Sequence, residues 1–177
     1  YTIQYFNHLK KHYGKERKRK TIIEEFDDLD KKKISIKNQK LYVNKEEGFI
    51  GTALKKDDFV SDCSDLDDVI VFTKEGVMKV VKVDSKVFVG KDILHVSLFN
   101  SESKEKTYNL IYTDGKNGTS YMKRFKVSGV IRDKEYNLTQ GKDFSKVLYF
   151  SVNNENEADC VTVYLRKKPS LRKDKFE

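Results

Sequence analysis

The chain contains little cysteine and proline, and it has no long apolar run. Its two cysteines, Cys63 and Cys160, lie far apart and form no CxxC pair. This spacing argues against a zinc site or a structural disulfide and favours reduced, half-buried thiols in a cytosolic protein. No apolar run approaches the ~20 residues of a membrane span, and the polar N-terminus does not resemble a signal peptide. The sequence therefore predicts no membrane partner, and its single proline, Pro169, follows the last predicted strand.

Common signatures of catalysis and phosphate binding are also absent, since GxxxxGK[ST], GxSxG and HExxH do not occur. His8 and His12 lie one helical turn apart but lack a third ligand, so we interpret them as exposed histidines. The acidic run 62–68 lacks the glycine and the terminal glutamate of an EF-hand loop. We interpret it as a turn whose side chains bond backbone N–H groups, with calcium binding as the alternative. We predict no catalytic residue, no metal ligand and no cofactor in this segment.

The net charge of +8 is unevenly distributed along the chain. Residues 1–40 carry +6 and residues 166–177 carry +4, whereas the body between them carries −2. Within the body, residues 46–75 carry −6 and residues 116–146 carry +5. A segregated basic stretch indicates a polyanionic partner, because neutralising phosphates releases counterions. A solvated basic surface is the simpler alternative.

A short helix is predicted at the N-terminus, followed by β-structure. Ile3, Phe6, Leu9 and Tyr13 recur at helical spacing, and Gly14 is placed to end the helix. From residue 41 onward, apolar and aromatic runs alternate with polar turns, and φ > 0 is expected at Gly48, Gly76 and Gly118. Four strand–turn–strand units are predicted, starting 28, 41 and 37 residues apart: Leu41–Leu54, Val69–Val83, Leu110–Val127 and Val147–Leu165.

This repeat predicts an all-β, propeller-like array in which each unit buries one face against a neighbour. An antiparallel domain with several unrelated hairpins is the alternative. We predict a helix and basic linker at 1–36, blades at 37–165 and a second basic linker at 166–177. Because the chain has no initiator methionine and ends in a basic tail, we interpret it as part of a longer protein.

Several segments resemble the A subunit of bacterial type IIA topoisomerases. Lys40–Gly51 and Asp67–Val80 carry the resemblance, and Tyr121–Tyr136 and Ser145–Phe150 fit the same family. It implies a β-pinwheel, a propeller variant whose blades exchange strands, with about three blades present here. It also implies a domain that binds and bends duplex DNA around a basic rim. The gyrase-specific box is absent and Gln140–Lys146 is at most a degenerate form of it, which favours the topoisomerase IV type, with a role in decatenation and relaxation.

The resemblance also implies what this segment lacks. The catalytic tyrosine of the family lies in an upstream domain and has no counterpart here, and the ATPase site lies on a different polypeptide. ATP and Mg would therefore be used elsewhere in an ATP-dependent enzyme, and this segment would be non-catalytic. The expected partners are double-stranded DNA, the ATPase B subunit, and the rest of the A subunit, in a heterotetramer located in the cytoplasm at the nucleoid.

The candidate DNA-contacting residues come from the basic stretch within the repeats. In the strand at 121–127, alternation places Arg124 and Lys126 opposite Tyr121, Phe125 and Val127, so we expect the two cations to point outward. The predicted set is Lys116, Lys123, Arg124, Lys126, Arg132, Lys134, Lys142 and Lys146. The basic segments 15–20 and 166–175 are the next candidates.

Two other functions remain open from the sequence. One is a propeller-type protein-interaction scaffold that does not bind nucleic acid. The other is a single-strand binder that stacks bases on exposed Tyr and Phe side chains.

Overall fold

The computed structural model describes residues 1–15, 38–100, 105–116, 118–154, 157–166 and 172–177. The chain divides into two compact units, 1–34 and 35–177. The described part of the first unit is the helix α1 (Thr2–Tyr13), which ends where the N–H of Gly14 donates to the carbonyl of Lys10 at 3.0 Å. The predicted helix is thus confirmed, and its apolar side chains are exposed, with Ile3 and Phe6 at 78% and 62%. Among the helices described, none has the length and apolar character needed to cross a membrane.

The second unit is built from antiparallel strands. In chain order they are β1 (Gln39–Asn44), β2 (Phe49–Gly51), β3 (Asp58–Cys63), β4 (Asp68–Thr73), β5 (Val77–Lys82), β6 (Val87–Phe88), β7 (Ile93–Leu98), β8 (Thr107–Thr113), β9 (Ser120–Lys126), β10 (Glu135–Asn137), β11 (Lys146–Asn153), β12 (Val163–Tyr164) and β13 (Lys175–Phe176).

These strands form separate sheets. The first sheet has the order β3-β1-β2-β6, the second β10-β5-β4-β7 and the third β11-β8-β9, while β12 pairs with β13. The hairpins β1–β2, β4–β5 and β8–β9 confirm the first three predicted strand–turn–strand units.

The fourth predicted unit, Val147–Leu165, is wrong as a hairpin. Its first strand, β11, pairs with β8, and its second strand, β12, pairs with β13. The reason is burial: Val147, Phe150 and Val152 on β11 pack in the core beside β8. In the described residues that follow β11, Asp159 instead accepts hydrogen bonds from Ser151 and Asn153 of that strand.

Two short strands leave their sequence neighbours and join the preceding sheet. β6 follows β5 in the chain but pairs with β2, and β10 follows β9 but pairs with β5. An equivalent backbone hydrogen bond fixes the end of each of these two strands. The N–H of Val89, directly after β6, donates to the Gly48 carbonyl at 2.9 Å, and the N–H of Leu138, directly after β10, donates to the Gly76 carbonyl at 2.8 Å. This exchange between successive sheets confirms the predicted all-β, pinwheel-like fold.

The core consists of two apolar clusters that share β4. Val69 and Val71 point into the first cluster, whereas Ile70 and Phe72 point into the second. Alternating side chains of one strand therefore serve both clusters, which explains why every residue of β4 is buried. Phe72 joins the second sheet to the third, with its ring centroid 4.8 Å from those of both Tyr108 and Phe150.

The turn glycines follow the prediction in the first two hairpins only. Gly48 and Gly76 have φ of 82° and 81°, as expected. In the third hairpin the positive φ (78°) belongs to Gly115, so the prediction for Gly118 is wrong. The third turn is longer, and Gly118 is needed there for close approach: a Cβ would lie 1.4 Å from the carbonyl oxygen of Asp114.

Candidate nucleic-acid interface

The eight predicted basic residues all lie on the third sheet or on the loops around it. They form three groups, which we name by position. The tip group lies at one end of the sheet and contains Lys116, Lys142 and Lys146. The face group lies on the edge strand β9 and contains Lys123, Arg124 and Lys126. The connector group lies between β9 and β10 and contains Arg132 and Lys134.

In the tip group, the β8–β9 turn is tied to the loop before β11. The Nζ of Lys142 lies 3.0 Å from Oδ2 of Asp114, whose side chain is fully buried. Ser145 Oγ donates to Asp114 Oδ1 at 3.1 Å and accepts from the N–H of Gly115 at the same distance. Lys116 is exposed on the turn, and Lys146 is exposed where β11 pairs with Thr113.

The Asp114 carboxylate is stabilised in its ionised form. Burial alone would raise its pKa, but the hydrogen bonds from Lys142 and Ser145, together with the charge of Lys142, outweigh burial and lower the pKa below its ordinary value. The same contact raises the pKa of Lys142. Lys142 is therefore an ion-pair partner that holds the tip together, and its charge is compensated within the chain.

In the face group, strand alternation is observed as predicted. Arg124 and Lys126 are exposed, while Tyr121 and Phe125 pack against the second cluster, which contains Val127 at 5% exposure. Lys123 lies on the inward-facing side of β9, and its Nζ reaches out of the core to the Leu138 carbonyl at 2.8 Å. Lys123 thus helps to anchor the segment that follows β10.

A carboxylate lies beside the exposed face. Asp159 accepts hydrogen bonds from Tyr149, Ser151 and Asn153, at 3.1 Å from the Tyr149 hydroxyl and 2.7 Å from Asn153 Nδ2. The bonds from Ser151 and Asn153 are the main reason that its pKa is lowered, and the nearby charge of Arg124 contributes.

Arg124 is held by the same segment. Its Nη2 donates to the carbonyl of Glu157 at 2.8 Å. The segment 157–159 therefore fixes the position of Arg124 and brings a negative charge close to it.

The two connector residues differ in their partners. Arg132 makes a two-point contact with Asp68, at 2.7 Å from Nε to Oδ1 and 3.1 Å from Nη2 to Oδ2. The Asp68 side chain is only 8% exposed, so this pair ties the connector to the second sheet. Lys134 is exposed, and its Nζ lies 5.4 Å from the centre of the Tyr136 ring.

The register of the third sheet gives the extent of the basic surface. Lys146 pairs with Thr113 at one end of β8, and Lys126 pairs with Thr107 at the other. The two lysines are on the same face, and six residues of extended chain span about 20 Å. This corresponds to about six base pairs of a duplex, which rises 3.4 Å per nucleotide of each strand.

The remaining sequence predictions have mixed outcomes. The acidic run is the expected turn, in which Asp67 Oδ2 accepts from the N–H of Ser64 at 2.8 Å. In the described part of the chain, no three His, Cys, Asp or Glu side chains are grouped as metal ligands. Both cysteines are free thiols, but Cys63 is buried, which raises its pKa, and Cys160 is exposed. Of the basic end segments, 16–20 and 167–171 lie outside the described residues.

Sequence reasoning missed the acidic partners of the interface. Asp68 is 64 residues from Arg132, and Asp114 is 28 residues from Lys142. Neither spacing is periodic or local, so neither pair gives a sequence signal. The sequence pattern places Asp159 in the turn of a hairpin that does not form.

Comparisons with known proteins agree with this architecture. A family model described as the topoisomerase C-terminal domain of Bacteroidota matches residues 40–177. The A subunit of DNA topoisomerase 4 from Borreliella burgdorferi is 33% identical over 154 residues, which cover 86% of this chain and 24% of that protein. The chain therefore spans about a quarter of the length of this relative. No solved structure matches the chain. The chain belongs to the topoisomerase C-terminal domain family.

Proposed function

We propose that this domain binds duplex DNA without sequence specificity and bends it, as part of a topoisomerase IV-type A subunit. The observation that supports this most directly is the exposed basic surface of the third sheet, on which Lys116 and Lys146 lie at the tip and Arg124 and Lys126 on the outer face. Contacts of this kind fix a duplex through its phosphates and carry no base information.

In the proposed mechanism, some basic side chains stabilise the loops of the domain and others bind DNA. Arg132 and Lys142 are paired with the buried carboxylates of Asp68 and Asp114, so their main contribution is to hold the connector and the tip in place. The other six basic side chains are the proposed phosphate contacts, and one of them, Lys123, also donates to the Leu138 carbonyl and so serves both purposes. Bending a site of 20–30 base pairs costs on the order of 1–6 kcal/mol, which several such contacts must offset.

The larger assembly is part of the same proposal. The whole enzyme would be an ATP-dependent type IIA topoisomerase in the cytoplasm, made of A subunits and ATPase B subunits in a heterotetramer. Strand cleavage and ATP hydrolysis, with their Mg and ATP, would occur on domains outside this chain, which would supply DNA binding only.

Duplex binding measured against salt tests the proposal. The affinity of the purified chain for a labelled 30-base-pair duplex and for a matched single strand is measured between 50 and 200 mM salt. If six side chains contact phosphates, the log–log slope should be about −5 and affinity should fall about 10³-fold over this range. Energy transfer between dyes at the duplex ends reports bending. Absence of duplex binding at 50 mM salt would refute the proposal, and preference for the single strand would favour a stacking function.

A protein-interaction scaffold is the second candidate, favoured by one surface. The outer face of the first sheet exposes Phe59 on the edge strand β3 and Phe88 on the opposite edge strand β6, at 54% and 53%, and β3 also carries the exposed acidic residues Asp58 and Asp62. Exposed apolar side chains that are surrounded by charged residues are typical of protein–protein interaction sites. A scaffold would show little duplex binding at any salt concentration, so the same experiment separates the two functions.

A further inference from the structure

Phe144 has an unusual backbone for its residue type. Its φ is +63°, and in the described part of the chain the other non-glycine residues with positive φ are Asp92 and Asp133. Aspartate tolerates this conformation because its short polar side chain can bond locally, whereas a bulky side chain is strained there. Phe144 occupies the third position of a turn that is closed by the Ser145 N–H donating to the Lys142 carbonyl at 3.3 Å. Glycine or asparagine would normally occupy such a position.

Burial does not compensate for this strain. Phe144 is 80% exposed, more than any other large apolar side chain in the described part of the second unit. Within the described residues, its ring contacts no other aromatic ring and no stacked cation. By contrast, the exposed Phe59 and Phe88 pack edge-to-face on Tyr42 and Phe49. A strained residue without a packing benefit is a candidate for a functional role.

The surrounding contacts fix the turn that carries the exposed ring. The hydroxyl of Ser145, the next residue, donates to Asp114 Oδ1 and accepts from the N–H of Gly115. The ion pair between Lys142 and Asp114 fixes the other end of the turn. The turn is therefore fastened at both ends, and the exposed ring is presented on a supported loop.

The local charges favour a nucleic acid as the contact. The loop is connected to the β8–β9 turn that carries Lys116, and Lys146 lies two residues beyond Phe144. The adjacent hollow of about 470 Å³ is lined by Lys142 and by the carboxylates of Glu75 and Asp143, so the phosphate contacts proposed at this end are those of Lys116 and Lys146 and not the hollow itself. A duplex offers phosphates to the lysines and, between its strands, an apolar stack of bases to the ring.

We propose that Phe144 is an apolar wedge that enters between adjacent base pairs and kinks the bound duplex. The inference rests on the proposed DNA binding and adds the residue that localises the bend. Inserted apolar side chains kink duplexes by about 20–90°, most easily at flexible pyrimidine–purine steps. The wedge contributes through stacking, so its effect is independent of salt.

The test uses Phe144→Asn, which suits the left-handed backbone and removes the ring, and Phe144→Trp, which keeps a ring. Phe59→Asn is the matched control, because Phe59 is an exposed phenylalanine on the first sheet. For Phe144→Asn we expect about tenfold weaker duplex binding at every salt concentration. We also expect a smaller bend by energy transfer, an unchanged salt slope and a melting temperature at or above that of the wild type. Phe144→Trp and Phe59→Asn should bend DNA like the wild type.

The outcomes separate this inference from the proposed function. If the wild type binds and bends duplex DNA and Phe144→Asn does so equally, the wedge is refuted and DNA binding stands. If Phe144→Asn loses salt slope along with affinity, the residue acts through the lysine contacts and the wedge is again refuted. A melting temperature below that of the wild type would show that the ring stabilises the fold and would count against the wedge. If the wild type does not bind duplex DNA, the proposed function itself fails.

Discussion

Replacing Arg124 and Lys126 together by glutamate perturbs the proposed interface at its most exposed strand. Both side chains lie on the outer face of β9, opposite the residues that pack in the core. Each is proposed to contact one phosphate, and each contact contributes about −0.9 to the slope of log affinity against log salt. Losing two contacts should therefore make the slope shallower by about 1.8. Across the fourfold change from 50 to 200 mM salt, the ratio of wild-type to variant affinity should shrink about twelvefold.

The structure adds one complication, which a second variant resolves. A glutamate at 124 would lie near the carboxylate of Asp159 and would lose the bond to the Glu157 carbonyl. The neutral pair Arg124→Gln and Lys126→Gln removes the same contacts without this repulsion, so its salt slope should match that of the glutamate pair. Stability should change by about 0.5 kcal/mol or less in the neutral pair, since both side chains are exposed.

Fluorescence anisotropy on two duplexes of unrelated sequence is a suitable assay, because a phosphate contact weakens binding to both equally. The control is Lys55→Glu with Lys56→Glu, two exposed lysines beside the first sheet that give the same change in net charge. The control should bind with nearly the wild-type slope. Wild-type affinity and slope in the Arg124 and Lys126 variants would show that the interface lies elsewhere, with the basic segments at 15–20 and 166–175 next to be tested.

Three further predictions follow from the ion pairs and the strand exchange. Arg132→Gln should lower the melting temperature because it removes the two-point contact of Arg132 with the largely buried Asp68, whereas Lys134→Gln should leave the melting temperature unchanged; equal melting temperatures would contradict the structural role of Arg132. Asp114 has a lowered pKa in the folded state, so its contribution to stability is present above its ordinary value of 3.8 and is lost as the pH falls through the folded-state value. When the free energy of unfolding is measured with denaturant between pH 2 and 7, it should therefore decrease less toward acid pH in Asp114→Asn than in the wild type. An identical decrease in the two proteins would refute the stabilising role of the Asp114 carboxylate. The peptide 37–83 lacks β6 and β7, which pair with β2 and β4, so it should not melt cooperatively; a sharp transition by circular dichroism would count against the shared core.

Local signals in the sequence were sufficient to predict the helix and three of the hairpins. Each hairpin joins two β-prone runs through a short polar turn, and Gly48 and Gly76 supply the positive φ that the first two turns require. Alternation along β9 was sufficient to place Arg124 and Lys126 outward. These features depend on residues that are close in the chain, which is why a single sequence reveals them.

The exchanged strands and the ion pairs depend instead on distant residues. β6 has two residues and β10 has three, too few to show a period, and each pairs with a strand of the preceding sheet. The fourth unit failed for the same reason, because β11 finds its partner in β8, 33 or more residues earlier in the chain. A run of apolar residues predicts a strand, but the buried surface available on each side decides which strand it joins.

The pairing of Arg132 with Asp68 shows that part of the charge separation seen along the sequence is cancelled in the folded protein. Asp68 belongs to the acidic stretch 46–75 and Arg132 to the basic stretch 116–146, so two stretches that are separate in sequence partly neutralise each other in the fold. Lys142 is likewise neutralised by Asp114.

The proposed contact surface therefore contains fewer basic side chains than the sequence indicates. On the third sheet it extends for about 20 Å along the strands. A contact of this length follows a nearly straight duplex, because about six base pairs are far shorter than the ~150-base-pair persistence length of DNA. Phosphate contacts on this sheet alone would hold DNA without curving it, so we attribute the proposed bend to the localised kink at Phe144; equal bending by Phe144→Asn would instead assign the bend to contacts beyond this sheet.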